Sequence, residues 1–171
     1  MRRPHSLELV LDDPDDLAVR RRWEALREAG LPSQADHASP TNAPHVSLVE
    51  APVIDDAALD VARARLRTLL PVTARVSGLL VLGGRRLTLA RPVVLDDDVV
   101  RRALAVRVQV PERLRAGWLP HLTLARGLDP ARLADAVAVL AEVDAASGAL
   151  EEVLVTGVRH WDPDRGHVRA L

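Results

Sequence analysis

The sequence predicts an α+β fold built from one unit used twice with pseudo-twofold symmetry, so that two similar strands face each other across a groove. Three observations carry this prediction. A five-residue pattern occurs twice, Pro44-His45-Val46-Ser47-Leu48 and Pro120-His121-Leu122-Thr123-Leu124, with 76 residues between the histidines. Each copy is followed by an Asp-initiated amphipathic helix, and each helix is followed by a hairpin. The interval is too long for a solenoid repeat, and two copies fall short of an array, which leaves a duplicated domain.

The elements follow in order. Residues 6–11 alternate as a strand, and the acidic run from Asp12 to Asp16 opens a helix carrying Val19, Trp23 and Leu26, closed by Gly30 and Pro32. Residues 32–44 are polar, without periodicity, and form a loop that delivers the chain to a strand at 45–50. Asp55 and Asp56 cap a second helix with Leu59, Ala62, Leu66 and Leu69 on one face, stopped by Pro71. Strands at 72–82 and 85–94 are joined by Gly83-Gly84, a pair suited to positive φ in a hairpin. Asp96 to Asp98 start a third helix reaching Val106. The chain is irregular from Pro111 to Leu119. A strand at 120–124, a helix at 130–143 and strands at 150–160 and 167–171 complete the second half.

Composition removes whole classes of chemistry. All basic residues are Arg; without Lys there is no lysyl-adenylate, Schiff base or phosphate-loop lysine. Without Cys there is no disulfide, thiolate nucleophile or cysteine zinc site. The formal charge of −1 gives little bulk attraction to nucleic acid, so phosphate binding must rest on a local cluster of arginines. The N-terminus starts basic but meets Glu8 and Asp12 before any long apolar run, unlike a signal peptide, and no stretch has the length of a membrane span. A cytoplasmic monomer without membrane contact is expected.

In a strand, residues two apart share a face, so His45 with Ser47 and His121 with Thr123 each present an imidazole beside a hydroxyl, while Val46, Leu48, Leu122 and Leu124 point to the core. One neutral histidine can take a proton from an attacking water while the other, protonated, gives one to the leaving oxygen. The hydroxyls can hold non-bridging phosphate oxygens, and no metal or cofactor is required. A single His-x-Ser is a weak signal, since His37-Ala38-Ser39 has the same spacing in a polar loop; the symmetric pair carries the expectation.

These motifs, His121-Leu122-Thr123-Leu124-Ala125-Arg126 above all, resemble those of the two-histidine phosphoesterase superfamily in its 2′-5′ RNA ligase-like branch. The resemblance implies a bilobal α+β fold with antiparallel sheets lining a central cleft and helices outside. It implies hydrolysis of RNA 2′,3′-cyclic phosphate ends to 2′-phosphates, with reversible 2′-5′ joining of RNA ends, on RNA or nucleotide partners. By position it assigns His45 and His121 as catalytic and Ser47, Thr123 and Arg126 as phosphate-binding. Ser47 stands where threonine is more usual and keeps the hydroxyl. Arg126, five residues from His121, falls on the opposite face of an ideal strand, so a bulge, a strand end or its long side chain must bring it to the cleft; Glu50 has the same offset in the first motif. His121 is expected to activate the nucleophile and His45 to protonate the leaving oxygen.

Other residues have plainer expectations. The acidic runs at 12–16, 55–56 and 96–98 precede helices and are read as caps rather than metal ligands. Arg20 to Arg22 are read as a solvated helix face, His5, His160 and His167 as surface residues, and Arg85 and Arg86 as charges at a hairpin tip that could meet a phosphate backbone. Trp118 could stack on a base or plug the core behind the second motif. Three alternatives stand beside the cyclic-phosphate reading. They are a small-molecule cyclic nucleotide or nucleotide-sugar phosphodiesterase, a non-catalytic nucleotide- or RNA-binding module, and a hydrolase using Ser47 as nucleophile. The last lacks a Gly-x-Ser-x-Gly elbow.

Overall fold

The structure, a computed structural model, describes residues 3–171; Met1 and Arg2, the start of the N-terminal stretch read above, lie outside them. The chain runs β1 (His5–Leu11), α1 (Asp13–Glu28), β2 (His45–Ala51), α2 (Asp56–Leu66), β3 (Val72–Val76) and β4 (Leu80–Gly83). It then runs β5 (Leu87–Val94), α3 (Asp97–Val108), β6 (His121–Leu128), α4 (Leu133–Ser147), β7 (Glu152–Asp162) and β8 (His167–Ala170). The same order of six elements, strand-helix-strand-helix-strand-strand, is thus used twice, and the fold is α+β. No helix among the described residues is long and apolar enough to cross a membrane.

The contacts of the longer strands and of the helices obey the same twofold relation. Strand β1 pairs with β2 as β5 pairs with β6, and β1 pairs with β7 as β5 pairs with β3. Helix α1 packs on α4 and β6, and its counterpart α3 packs on α2 and β2. Each half's first helix therefore covers the other half's motif strand. All ladders are antiparallel and join into one sheet of eight strands, which runs β1-β2-β6-β5-β3-β7 and returns to β1, with β4 on β5 and β8 on β7. Closure leaves fewer strand edges exposed.

The core is aliphatic. Leu7, Leu9, Val46, Leu48, Leu122 and Leu124 are fully buried, each worth about 1.5–3 kcal/mol in apolar burial. Val46 and Leu122 are paired across the junction between β2 and β6, so the apolar residues of the two motifs seal the middle of the sheet. Leu122→Ala there would remove about 2–5 kcal/mol.

Two boundaries differ from expectation. The strand expected at 72–82 is two strands, because Gly78 at φ 52° turns the chain between β3, which pairs with β7, and β4, which pairs with β5. Gly83, at φ 103°, closes the β4–β5 hairpin; a Cβ there would sit 2.5 Å from the Arg86 carbonyl oxygen. Helix α4 continues to Ser147 because its last turn carries Asp144, which holds the guanidinium of Arg22 at 2.7 Å. Asp12 and Asp55 cap α1 and α2 through bonds from Asp15 and Ala58 amides at 3.0 and 2.8 Å, whereas Asp96 makes no side-chain cap bond to α3.

Two readings of polar residues are corrected. Arg22 is 1% exposed, not solvated: it lies on the stripe Val19-Arg22-Trp23-Leu26, and its charge is met by Asp144 and by the carbonyls of Ala18 and Gly148 at 2.8 Å. His5 and His160 are 6% and 7% exposed and stack with ring centroids 5.4 Å apart, because β7 extends past its expected end and pairs with the start of β1. His167 is exposed, as expected.

Candidate active site

Strands β2 and β6 are antiparallel neighbours, hydrogen-bonded through Val46 and Leu122, rather than separate walls of a groove. An antiparallel register through that pair sets His45 across from Thr123 and Ser47 across from His121. All four side chains then share the face opposite to the buried Val46 and Leu122. They are partly exposed, while the alternating residues are buried.

The histidines are held alike. His45 Nδ1 lies 2.7 Å from the carbonyl oxygen of Ala43, and His121 Nδ1 lies 2.7 Å from that of Leu119. A carbonyl only accepts, so each Nδ1 carries the hydrogen, and Nε2 is the nitrogen left for chemistry. The proline between acceptor and histidine, Pro44 or Pro120, has a fixed φ and no N–H of its own, which sets the carbonyl's direction. The repeated proline thus has a physical use in fixing each imidazole.

Each motif also contains a bulge after its hydroxyl residue. Glu8 pairs with Ser47 and Leu7 with Val49, so Leu48 is the extra residue in β2; Ala90 pairs with Thr123 and Leu89 with Ala125, so Leu124 is the extra residue in β6. Consecutive residues Leu48-Val49 and Leu124-Ala125 are buried, and the next residue in each strand, Glu50 or Arg126, returns to the cleft face. The bulge is what brings Arg126 to the site. Two indoles lock the motif backbones from the opposite half: Trp23 Nε1 donates to the Thr123 carbonyl at 3.0 Å and Trp118 Nε1 to the Ser47 carbonyl at 2.8 Å. Trp118 is half-buried against the core, with its indole on the first motif strand rather than behind the second. Arg107 of α3 ties the irregular segment before β6 to β2, donating to the carbonyls of Leu48, Arg115 and Gly117.

A cavity of about 430 Å³ opens on this face. His45, Thr123 and Arg126 line it, with Glu50, while Ser47 and His121 lie outside its lining. Residues the sequence reading did not assign also line it: Arg3, Ser6, Glu8, Trp161 and, from the loop before β2, Gln34, His37 and Asn42. Arg20 holds that loop, donating to the Asn42 carbonyl at 2.8 Å, pairing with Asp16, and lying 5.5 Å over the Trp23 ring. His37, set aside as a decoy of the motif, therefore reaches the rim through the loop. Glu8 could have been found from the alternation Ser6-Leu7-Glu8-Leu9, which puts two polar groups on one face of a strand with buried neighbours on the other. Arg86 pairs instead with Asp129 at 3.4 Å, and neither Arg85 nor Arg86 lines the cavity.

Among the described residues, His5, Asp162 and Asp164 bring ligand-type atoms within 4.8 Å of one another. The Asp162 carboxylate already accepts the amides of Asp164 and Arg165 at 2.9 and 3.2 Å; burial pushes it up, but these amides and His5 hold it below the ordinary carboxylate range. His160, beside them, is pushed below the ordinary histidine value, first by burial and then by His5.

Residues 13–166 match the family model described as the 2′-5′ RNA ligase superfamily. No curated protein sequence matches the chain significantly. Among solved structures, Kluyveromyces marxianus Usb1 shares 14% identity over 99% of this chain and 98% of its own, with a TM-score of 0.53. The apo form of E. coli LigT shares 12% identity over 99% of this chain and 94% of its own, also with a TM-score of 0.53. These two show the same fold. With the family model spanning both motifs and all but the ends of the chain, the protein belongs to the 2′-5′ RNA ligase superfamily, the branch of two-histidine phosphoesterases that its motifs resemble.

Proposed function

We propose that this protein opens RNA 2′,3′-cyclic phosphate ends to 2′-phosphates, with His45 and His121 as the acid–base pair, and that the same ring opening with an RNA 5′-hydroxyl in place of water joins ends through a 2′-5′ bond, a step that runs in both directions. Membership of the superfamily makes it an RNA-processing phosphoesterase in the general sense. The observation that carries the finer reading is the matched pair of Nδ1 bonds, which leaves an Nε2 on each histidine for the substrate. One Nε2 takes a proton from water as its oxygen attacks phosphorus; the P–O3′ bond breaks, and O3′ receives a proton from the other. Ser47, Thr123 and Arg126 are assigned to the non-bridging phosphate oxygens, where charge is held in the transition state. No metal or other cofactor is assigned a step.

The test is turnover of a 2′,3′-cyclic-phosphate-ended oligonucleotide, with EDTA present, by the wild-type protein beside folded His45→Ala and His121→Ala variants. A 2′-phosphate product lost in both variants supports the reading; wild-type inactivity, or activity surviving in either variant, overturns it. A second reading, a phosphodiesterase of small cyclic nucleotides, is favoured by the cavity itself. Its 430 Å³ suits a single nucleotide, and its lining mixes Glu8 and Glu50 with Arg3 and Arg126 rather than forming a basic track. E. coli LigT has been crystallised with 3′-AMP and with NADP+. Equal kcat/KM on a cyclic mononucleotide and on the oligonucleotide would select this second reading.

A further inference from the structure

The two histidines match in their Nδ1 contacts, but their other nitrogens face different groups. His45 Nε2 lies 3.6 Å from Glu8 Oε1. No carboxylate makes an ion pair with His121 among the described residues, and the position on β5 that corresponds to Glu8, opposite Thr123, is Ala90. Glu8 is 5% exposed and rigidly held, accepting from Ser6 Oγ at 2.6 Å and from Arg159 Nε at 2.7 Å. Its strand places it beside Ser47 on the cleft face. The charged groups around this corner of the cavity are Arg159 on β7, Glu50 on β2, Arg126 on β6, and Arg3 and His37 at the rim.

We propose that Glu8 is a positioning residue that makes the two histidines unequal, fixing His45 as the acid and His121 as the base in the ring-opening reaction. This rests on the function proposed above. A carboxylate offers only acceptor oxygens, so an Nε2 facing one is favoured when it carries a proton. With Nδ1 committed to Ala43, both nitrogens of His45 face acceptors, which places a hydrogen on Nε2 for delivery to O3′. His121 has one acceptor, which leaves its Nε2 lone pair to take the proton of water. The step balances: the water proton passes to His121, the hydroxide oxygen bonds to phosphorus, the P–O3′ electron pair stays on O3′, and His45 supplies its proton. Return of a proton from His121 to His45 through solvent completes the cycle.

The test compares a 2′,3′-cyclic phosphate with the same compound carrying sulfur in place of the bridging 3′ oxygen, since a thiolate leaves without needing a proton. Glu8→Gln and His45→Ala are expected to be slow on the oxygen substrate, Glu8→Gln by about tenfold and His45→Ala by about 10²–10⁴-fold, and to approach the wild-type rate on the sulfur substrate. His121→Ala is expected to be slow on both. Ser6→Ala, which removes the hydroxyl that holds Glu8 Oε1 in position and leaves the carboxylate intact, should show a smaller split of the same kind. An equal loss on both substrates in Glu8→Gln, as misfolding or a purely structural role would give, overturns the proposal. Rescue of His121→Ala instead of His45→Ala overturns it too. A wild-type protein that turns over neither substrate overturns the proposed reaction itself, a result distinct from a wild type that works and shows no split.

Discussion

The first and second motif strands carry the same frame on different ground. Both begin with a proline-set imidazole, continue with a hydroxyl, and bulge at the next residue so that a charged side chain returns to the cleft. The surroundings then diverge. The first motif has Glu8 opposite Ser47 and ends in Glu50; the second has Ala90 opposite Thr123 and ends in Arg126. The first side of the sheet also buries His5 and His160, where Leu87 stands in the β5 position matching His5. Two copies of one unit carry matched imidazoles, and the neighbouring strands set different groups around them.

That comparison can be broken most forcefully at the histidines. His45→Ala and His121→Ala should each lower kcat by about 10²–10⁴-fold, and the double variant should fall little further, because the proposed mechanism uses both in one step. Additive losses in single-turnover assays would mean that they act separately. The strand ends come next. Arg126→Ala should lower kcat/KM by about 10–100-fold, the loss of a charged hydrogen bond to phosphate, while Glu50→Ala should change it less than about threefold. Equal effects would place the phosphate symmetrically between the halves.

Smaller effects test the crossed locks. Trp23→Phe and Trp118→Phe each strip an indole hydrogen bond from a motif carbonyl and should cost about 1–3 kcal/mol in urea unfolding. The loss should be larger at the more deeply buried Trp23. The smallest effect concerns pH. Because His160 is held below its ordinary value, the unfolded chain binds its proton more readily than the folded one does. Stability from this group is present above about pH 6.5 and is lost as pH falls through the lower, folded value. Melting of His160→Gln should therefore depend less on pH below 6.5 than that of the wild type; identical profiles would assign acid sensitivity to other groups.

Much of the site was readable from local pattern. The paired histidines, their hydroxyls and the caps at Asp12 and Asp55 rest on spacings of two to four residues, where strand and helix geometry act directly. Arg126 was only half readable. Its residue type was plain, but the bulge that turns it inward arises from the pairing of β6 with β5, and no window of β6 alone contains that information. Arg22 looked like part of a charged face because the carboxylate that lets it be buried, Asp144, lies 122 residues away on α4. His5 and His160 looked superficial for the same reason, since they meet only when β1 and β7 pair.

By itself the sequence determined the repeated α+β unit, the aliphatic core and the two motifs, since periodicity and spacing are properties of the local chain. The tertiary structure alone decided that the motif strands would be neighbours rather than opposite walls, which residues complete the cavity, and that Glu8 would stand beside one histidine and not the other. Those outcomes depend on strand register between segments far apart in the chain, where a shift of one residue turns every side chain to the other face.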